Sequence, residues 1–184
     1  MRVVIAGAVL FALALVTLVV LRLGRWVMVY DVPAAGMAPT IEKGDKILMT
    51  GFKKVQRGDV IVFVTDDIPY LTRPGSPPTT YVKRLVGLPG EKLRLTDGSL
   101  YVNGERIELT NKNGPIRYSH FQFGARYLVD DTEIVTVPDD AYFVLGDNTG
   151  QSADSRFFGF VPMKSVLGRA VSCYWPPAHA GPLR

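Results

Sequence analysis

A lysine set in an otherwise apolar stretch is the first residue here with chemistry to offer. Lys83 stands in Tyr81-Val82-Lys83-Arg84-Leu85-Val86, where a β-strand would send Lys83 and Arg84 to opposite faces. Burial disfavours an ammonium, lowers the pKa of lysine and leaves a neutral amine that can take up a proton. The plainer arrangement has Lys83 in solvent, with Arg84 snorkelling or paired. A second group is Gly146-Asp147-Asn148-Thr149-Gly150-Gln151-Ser152-Ala153-Asp154-Ser155-Arg156. Asp154 and Arg156 are near enough in sequence for a charge-assisted hydrogen bond that would pin this loop. Such a loop either satisfies itself or holds a catalytic group from behind. The third stretch is residues 32–45, Val-Pro-Ala-Ala-Gly-Met-Ala-Pro-Thr-Ile-Glu-Lys-Gly-Asp. Its prolines forbid a regular helix and fit a sheet interior poorly. Its small residues leave backbone bare enough to lie against a ligand or an added peptide strand, although a simple linker has the same composition.

The elements that must position these groups read as β. Apolar, β-branched runs predict strands at residues 46–50, 59–64, 81–86, 93–96, 100–102, 106–109, 134–137 and 142–145. Asp97-Gly98 and Asn103-Gly104 are hairpin signals. Residues 66–80, rich in proline, form a long surface loop, and 108–132 a small irregular insertion. Lys53, Lys54 and Arg57 make a basic turn, either solvated or set against anionic lipid. A helical turn is expected only near 162–167. The expected architecture is mostly β, an antiparallel sheet or barrel-like domain with long loops over residues 31–184. Residues 1–30 precede it as a membrane anchor helix and its interface. From 3 to 21 every residue is apolar, Gly or Thr, close to the ~20 residues that span a bilayer. Trp26 and Tyr30 suit the membrane–water interface. Counting Arg2 against Arg22 and Arg25 would weakly put the following domain in the cytoplasm.

Composition narrows the classes further. The chain has 184 residues, 47% of them hydrophobic, enough for one ordinary domain and an anchor. A net charge of +4 is too weak to argue for nucleic acid. With one cysteine, Cys173, no internal disulfide can form.

Taken together, these segments resemble type I signal peptidases, membrane-anchored serine proteases that cleave signal peptides from exported precursors. The resemblance rests on an N-terminal anchor, Met-x-Pro-Thr at 37–40, Arg57-Gly58-Asp59-Val60-Ile61-Val62-Phe63, Tyr-x-Lys-Arg…Gly-x-Pro-Gly at 81–90, and Gly-Asp-Asn…Ser-x-Asp-Ser-Arg at 146–156. It implies an extracytoplasmic β domain on a single-pass anchor, which overrides the arginine count. It also implies a Ser/Lys dyad, with signal peptides and membrane lipid as partners and neither cofactor nor metal. In such a dyad a neutral lysine takes the proton of the serine that attacks the scissile carbonyl after Ala-x-Ala. Lys83 falls on the general base, Ser152 on the serine that orients the lysine, and Asp154 and Arg156 on a supporting ion pair. Pro33, Ala35, Met37, Tyr81 and Val82 fall on the substrate-binding walls, and residues 33–37 are expected to run extended and exposed opposite 81–83.

The sequence departs from the pattern where it matters most. The nucleophile position is Gly36, the position of an oxyanion-hole serine is Ala34, and Thr149 stands where many members carry arginine. From Val32 to Pro39 there is no Ser, Thr or Cys. Three readings follow: a natural, catalytically silent homologue that binds signal peptides; an active peptidase altered at its nucleophile; or an enzyme with a displaced nucleophile, Thr40 or Ser152. A reading of another class is a membrane-anchored binding or assembly domain without peptide binding, which predicts no cleft beside Lys83.

Overall fold

A computed structural model describes residues 11–13, 15–17, 27–51, 54–72, 75, 77–120 and 124–183. In chain order the strands are β1 (Val27–Asp31), β2 (Lys46–Thr50), β3 (Val60–Val64), β4 (Thr80–Gly87), β5 (Lys92–Thr96), β6 (Ser99–Val102) and β7 (Glu105–Ile107). They continue as β8 (Thr110–Asn111), β9 (Gly114–Pro115), β10 (Val135–Thr136), β11 (Ala141–Leu145), β12 (Val161–Pro162), β13 (Val166–Trp175) and β14 (Gly181–Pro182). Residues 11–13 and 15–17 are helical, a further helical turn spans Ser155–Phe158, and 3₁₀ turns span Met163–Ser165 and Pro177–His179.

Every strand pair among the described residues is antiparallel. The large sheet runs β1-β2-β13-β3-β4-β11-β12, with β14 alongside β13; a smaller sheet runs β10-β5-β6-β7. The two hairpins expected from Asp97-Gly98 and Asn103-Gly104 are present. All four residues have positive φ (48, 71, 51 and 87°), the conformation that twists a two-residue turn to match its strands. Three buried apolar clusters hold the fold. One joins the small sheet to β11 through Leu93, Leu100, Val135 and Phe143. Another packs Ile61, Phe63, Leu85 and Val144 against Phe158. The third gathers Val32, Met37, Ile41, Ile47 and Val62 under residues 32–45.

Besides the two-residue strands β8, β9, β12 and β14, two longer strands, β13 and β1, escape the sequence pattern. β13 lies between β2 and β3 in the sheet, yet its run Val-Leu-Gly-Arg-Ala-Val-Ser-Cys-Tyr-Trp is broken by small residues. Gly168 explains part of this: a Cβ there would stand 2.1 Å from the Thr50 carbonyl oxygen, so the strand crosses only as glycine. β1 begins at Val27, ahead of the boundary expected at residue 31, and pairs along its whole length with β2. Tyr30 is therefore a sheet residue. The expected basic turn is partly structural, because Arg57 bonds Glu91 (2.5 and 2.9 Å) and the Val86 carbonyl (2.5 Å); Lys53 lies outside the described residues.

The expected anchor over residues 3–21 lies largely outside the described residues, as does Trp26. Among the described residues no helix is long and apolar enough to cross a membrane.

Candidate functional site

The site is assembled from three segments already singled out in the sequence. β4 sits between β3 and β11, with Ile61 opposite Lys83 and Leu145 opposite Arg84. The strand alternation sends the two basic side chains apart, but both are buried, Lys83 at 8% and Arg84 at 1% exposure. Arg84 grips Asp147 with both ends of its fork, Nε to Oδ1 at 2.7 Å and Nη2 to Oδ2 at 2.6 Å. It also donates to the Gly58 carbonyl at 2.6 Å. The Thr40 hydroxyl donates to the same Asp147 carboxylate. The buried charges are thus paired and hydrogen-bonded, which is what makes burying them tolerable.

Beyond β11 the chain folds back on itself. Asp154 accepts from the Gly146 amide (3.0 Å), the Arg156 amide (3.2 Å) and the Arg156 guanidinium (2.9 and 2.6 Å). It also caps the helical turn Ser155–Phe158. Ser155 Oγ accepts from the Val144 amide at 2.9 Å. The ion pair expected between Asp154 and Arg156 is present and fully buried. Arg156 reaches further than expected. It donates to the Ser119 carbonyl at 2.5 Å, and its own carbonyl accepts from Arg126 (2.8 Å) and Tyr127 (3.2 Å). The irregular segment expected at 108–132 is therefore tied to the loop behind the site.

Residues 32–45 form a loop closed at its base. The Val32 amide donates to the Asp45 carbonyl (2.9 Å) and the Gly44 amide to the Val32 carbonyl (2.8 Å). The extended edge expected at 33–37 does not form. The chain turns from Ala34 onward, with the Ala38 amide donating to the Ala35 carbonyl (3.0 Å) and the Ile41 amide to the Met37 carbonyl (3.0 Å). Burial drives the turn: Met37 is 1% exposed and packs with Val32, Ile41 and Ile47, so it borders the cleft mainly with backbone. Asn148 locks this turn to the polar loop, through its side-chain amide to the Ala35 carbonyl (3.1 Å) and its backbone amide to the Gly36 carbonyl (3.3 Å). Pro33, Ala34 and Ala35 are exposed.

The three segments meet at Gly36. A β-carbon built there would stand 3.2 Å from Lys83 Nζ, 3.5 Å from Ser152 Oγ and 3.7 Å from Ser152 Cα. The Lys83 amine donates to the Val82 carbonyl at 3.1 Å, and burial pushes its pKa down against the opposing pull of Asp154 and Asp147. Ser152 Oγ is buried and has no hydrogen-bond partner among the described residues, the Lys83 amine included. Gly146 closes the back wall, because a Cβ there would meet Ser152 Oγ at 2.0 Å and the Gly36 carbonyl at 2.3 Å. A cleft of about 430 Å³ opens in front. Pro33, Ala34, Ala35 and Gly36 line one wall; Tyr81, Val82 and Lys83 line the other. Asn148, Gly146 and the Thr40–Asp147–Arg84 cluster were not expected from sequence. An arginine next to Lys83 in an apolar strand, with an aspartate in the polar loop, is the sequence signal that could have found the last.

The arrangement sets an amine whose pKa burial lowers beside a residue that carries no side chain. Comparison with known proteins gives it a context. The family described as signal peptidase, peptidase S26, matches residues 3–175. The chain is 32% identical over 174 residues to a probable signal peptidase I-2 of Synechocystis sp., covering 91% of this chain and 73% of that one. It is 35% identical over 172 residues to a signal peptidase I of Leptolyngbya laminosa, covering 90% and 78%. A solved signal peptidase I from Enterococcus faecalis shares 33% identity over 63% of this chain and 96% of that one, with a TM-score of 0.45.

Proposed function

This chain belongs to the signal peptidase family, peptidase S26, and from that premise we propose that it binds signal peptides of exported precursors without cleaving them at the rate of a working peptidase. The observation that carries this reading is the side-chain position of residue 36. It lies within reach of the Lys83 amine, and glycine places no oxygen there. A Ser/Lys dyad works by passing a hydroxyl proton to a neutral amine while the oxygen attacks the carbonyl. Here the amine is buried and its pKa is lowered, as a base requires. The attacking atom is absent.

Two observations weigh against the alternatives. The hydroxyl of Thr40 is committed to the buried Asp147 carboxylate, which leaves it poorly suited to act as a displaced nucleophile. A cleft beside Lys83 is what a purely structural assembly domain would lack. In our reading a signal peptide lies extended along the edge of β4 at residues 80–83, whose main chain supplies hydrogen bonds, with the turn at residues 33–36 as the facing wall. Its alternate side chains point one way into shallow pockets that admit small residues, as an Ala-x-Ala end offers. Ala34, in place of an oxyanion-hole serine, weakens transition-state stabilisation further. Asp154 and Arg156 hold the loop that carries Ser152. The apolar stretch at 3–21 anchors the domain as a single pass on the extracytoplasmic face of a membrane.

The test is cleavage of a signal-peptide-bearing precursor by three versions of the full chain. The unaltered chain should be silent. Gly36→Ser should gain activity, because the backbone at 36 has an ordinary φ and the nearest obstacle is the flexible end of Lys83. Gly36→Ser with Lys83→Ala should lose it again. Cleavage at ordinary enzyme rates by the unaltered chain sinks the proposal, and so does a folded Gly36→Ser variant as inert as the double variant.

A further inference from the structure

Three features of the closed end of the cleft go unused when it is read only as an idle peptidase. The position a side chain would fill at residue 36 is flanked by an amine and a hydroxyl, at 3.2 and 3.5 Å from an ideal β-carbon. The amine of Lys83 makes one hydrogen bond, to the Val82 carbonyl, and has further N–H donors unspent. The Ser152 side chain is 1% exposed, and its hydroxyl has no partner among the described residues. A buried, unpartnered hydroxyl is rare enough to need an explanation, and an absent acceptor is one of the usual ones. The nearest carboxylates do not supply it. Asp147 is held by Arg84 and Asp154 by Arg156.

We infer that this end of the cleft is a receptor for the free C-terminal carboxylate of a peptide ending in small residues, so that the chain retains processed signal peptides in preference to intact precursors. The inference rests on the reading of the cleft as a signal-peptide groove and names which form the groove prefers. A peptide lying along residues 33–36 ends its small-residue stretch beside Gly36. In an intact precursor the carbon there bears one oxygen and an amide nitrogen that continues into the mature protein. In a processed peptide it bears two oxygens and a negative charge. With no Cβ at residue 36, a second oxygen can approach the Gly36 backbone, and the amine and hydroxyl beyond it, more closely than any side chain there would allow. Lys83 and Ser152 are placed to donate to it, and a charged acceptor makes the stronger bond. No covalent step is involved.

The groups that face Lys83 decide the pH dependence. They are Tyr81, whose ring centre is 5.4 Å from Nζ, and Asp147 and Asp154 with their partners Arg84 and Arg156. Both aspartates pull the amine toward its charged form while being paired with arginines, and an arriving carboxylate adds to that pull at closer range. Binding takes up a proton when the amine is neutral beforehand. The carboxylate preference should therefore weaken as pH rises.

Isothermal titration of the full chain in detergent micelles decides the matter, with three peptides of one sequence. One ends Ala-Gln-Ala as the free acid, one ends there as the amide, and one continues for several residues. The acid should bind about tenfold tighter than either of the others, with the ratio shrinking from pH 6.5 to pH 9.5. In Lys83→Met the acid-to-amide ratio should fall close to one. In Gly36→Ala, where a methyl group occupies the space, it should also fall. Circular dichroism melts establish that each variant is folded. If all three peptides bind alike to the unaltered chain, the groove stands and the carboxylate receptor is overturned. If the acid preference survives Lys83→Met or Gly36→Ala, the receptor is overturned as placed here. If no peptide binds, the groove falls and the receptor with it.

Discussion

Lys83 is the residue whose behaviour follows most directly from where it sits. Burial lowers its pKa in the folded state, while the unfolded chain returns it to its ordinary value of 10.5. Between those two values the unfolded chain binds more protons than the folded one, so stability rises with pH across that window. Below the folded pKa both states are protonated, and the whole cost of burying the charge is present. Replacing Lys83 by Met removes the cost. Urea unfolding of the two chains from pH 6 to 10 should find Lys83→Met the more stable at the acid end, with the gap closing as pH approaches 10. Gly146 makes a second claim at this scale. A methyl group there would meet both Ser152 Oγ and the Gly36 carbonyl, prising apart the turn that Asn148 holds. Gly146→Ala should cost about 2 kcal/mol by overpacking. It should also abolish any activity gained by Gly36→Ser, read as precursor cleavage by the double variant.

Arg84 and Asp147 join β4 to the loop leaving β11, and the Thr40 hydroxyl adds the loop at 32–45. Removing one charge strands the other in the interior, so Asp147→Ala should destabilise the domain by about 3–5 kcal/mol. Arg84→Met with Asp147→Leu removes both and should cost less than the single change; chemical denaturation of the two variants tests the order. This cluster marks the limit of what the sequence made legible. The strands around Lys83, both glycine hairpins and the Asp154–Arg156 pair were readable because each depends on neighbours close in the chain. The partner of Arg84 was not, since Asp147 is 63 positions away. β13 was obscured because the glycine that lets it cross Thr50 also breaks the β-branched pattern. The turn at 34–40 was mistaken for an extended edge because Pro and Ala do not disclose that Met37 is drawn inward. At the site itself the residue types were visible from the start, but the unsatisfied hydroxyl of Ser152 could be seen only in three dimensions.

At the scale of the whole molecule the sheet depends on strands distant in sequence. β2 and β3 follow one another along the chain but do not pair; each is bonded instead to β13. A chain stopped after Ser165 should therefore keep the small sheet but lose cooperative unfolding of the large one, seen as a broad, shallow thermal transition by circular dichroism. The same strand order has a consequence in time. As the polypeptide is made from its N-terminus, β2 is complete at Thr50, and its partner is complete only at Trp175, about 125 residues later. At synthesis rates of 5–20 residues per second the open edge of β2 waits roughly 6 to 25 seconds. Through that interval the cleft is incomplete, because the turn at residues 34–36 is held by Asn148 and its Met37 packs in a cluster that includes Ala170 of β13. The nascent domain must be kept from pairing with whatever other strands pass by, and the cleft becomes a place where a peptide can be held only when nearly all of the chain has arrived.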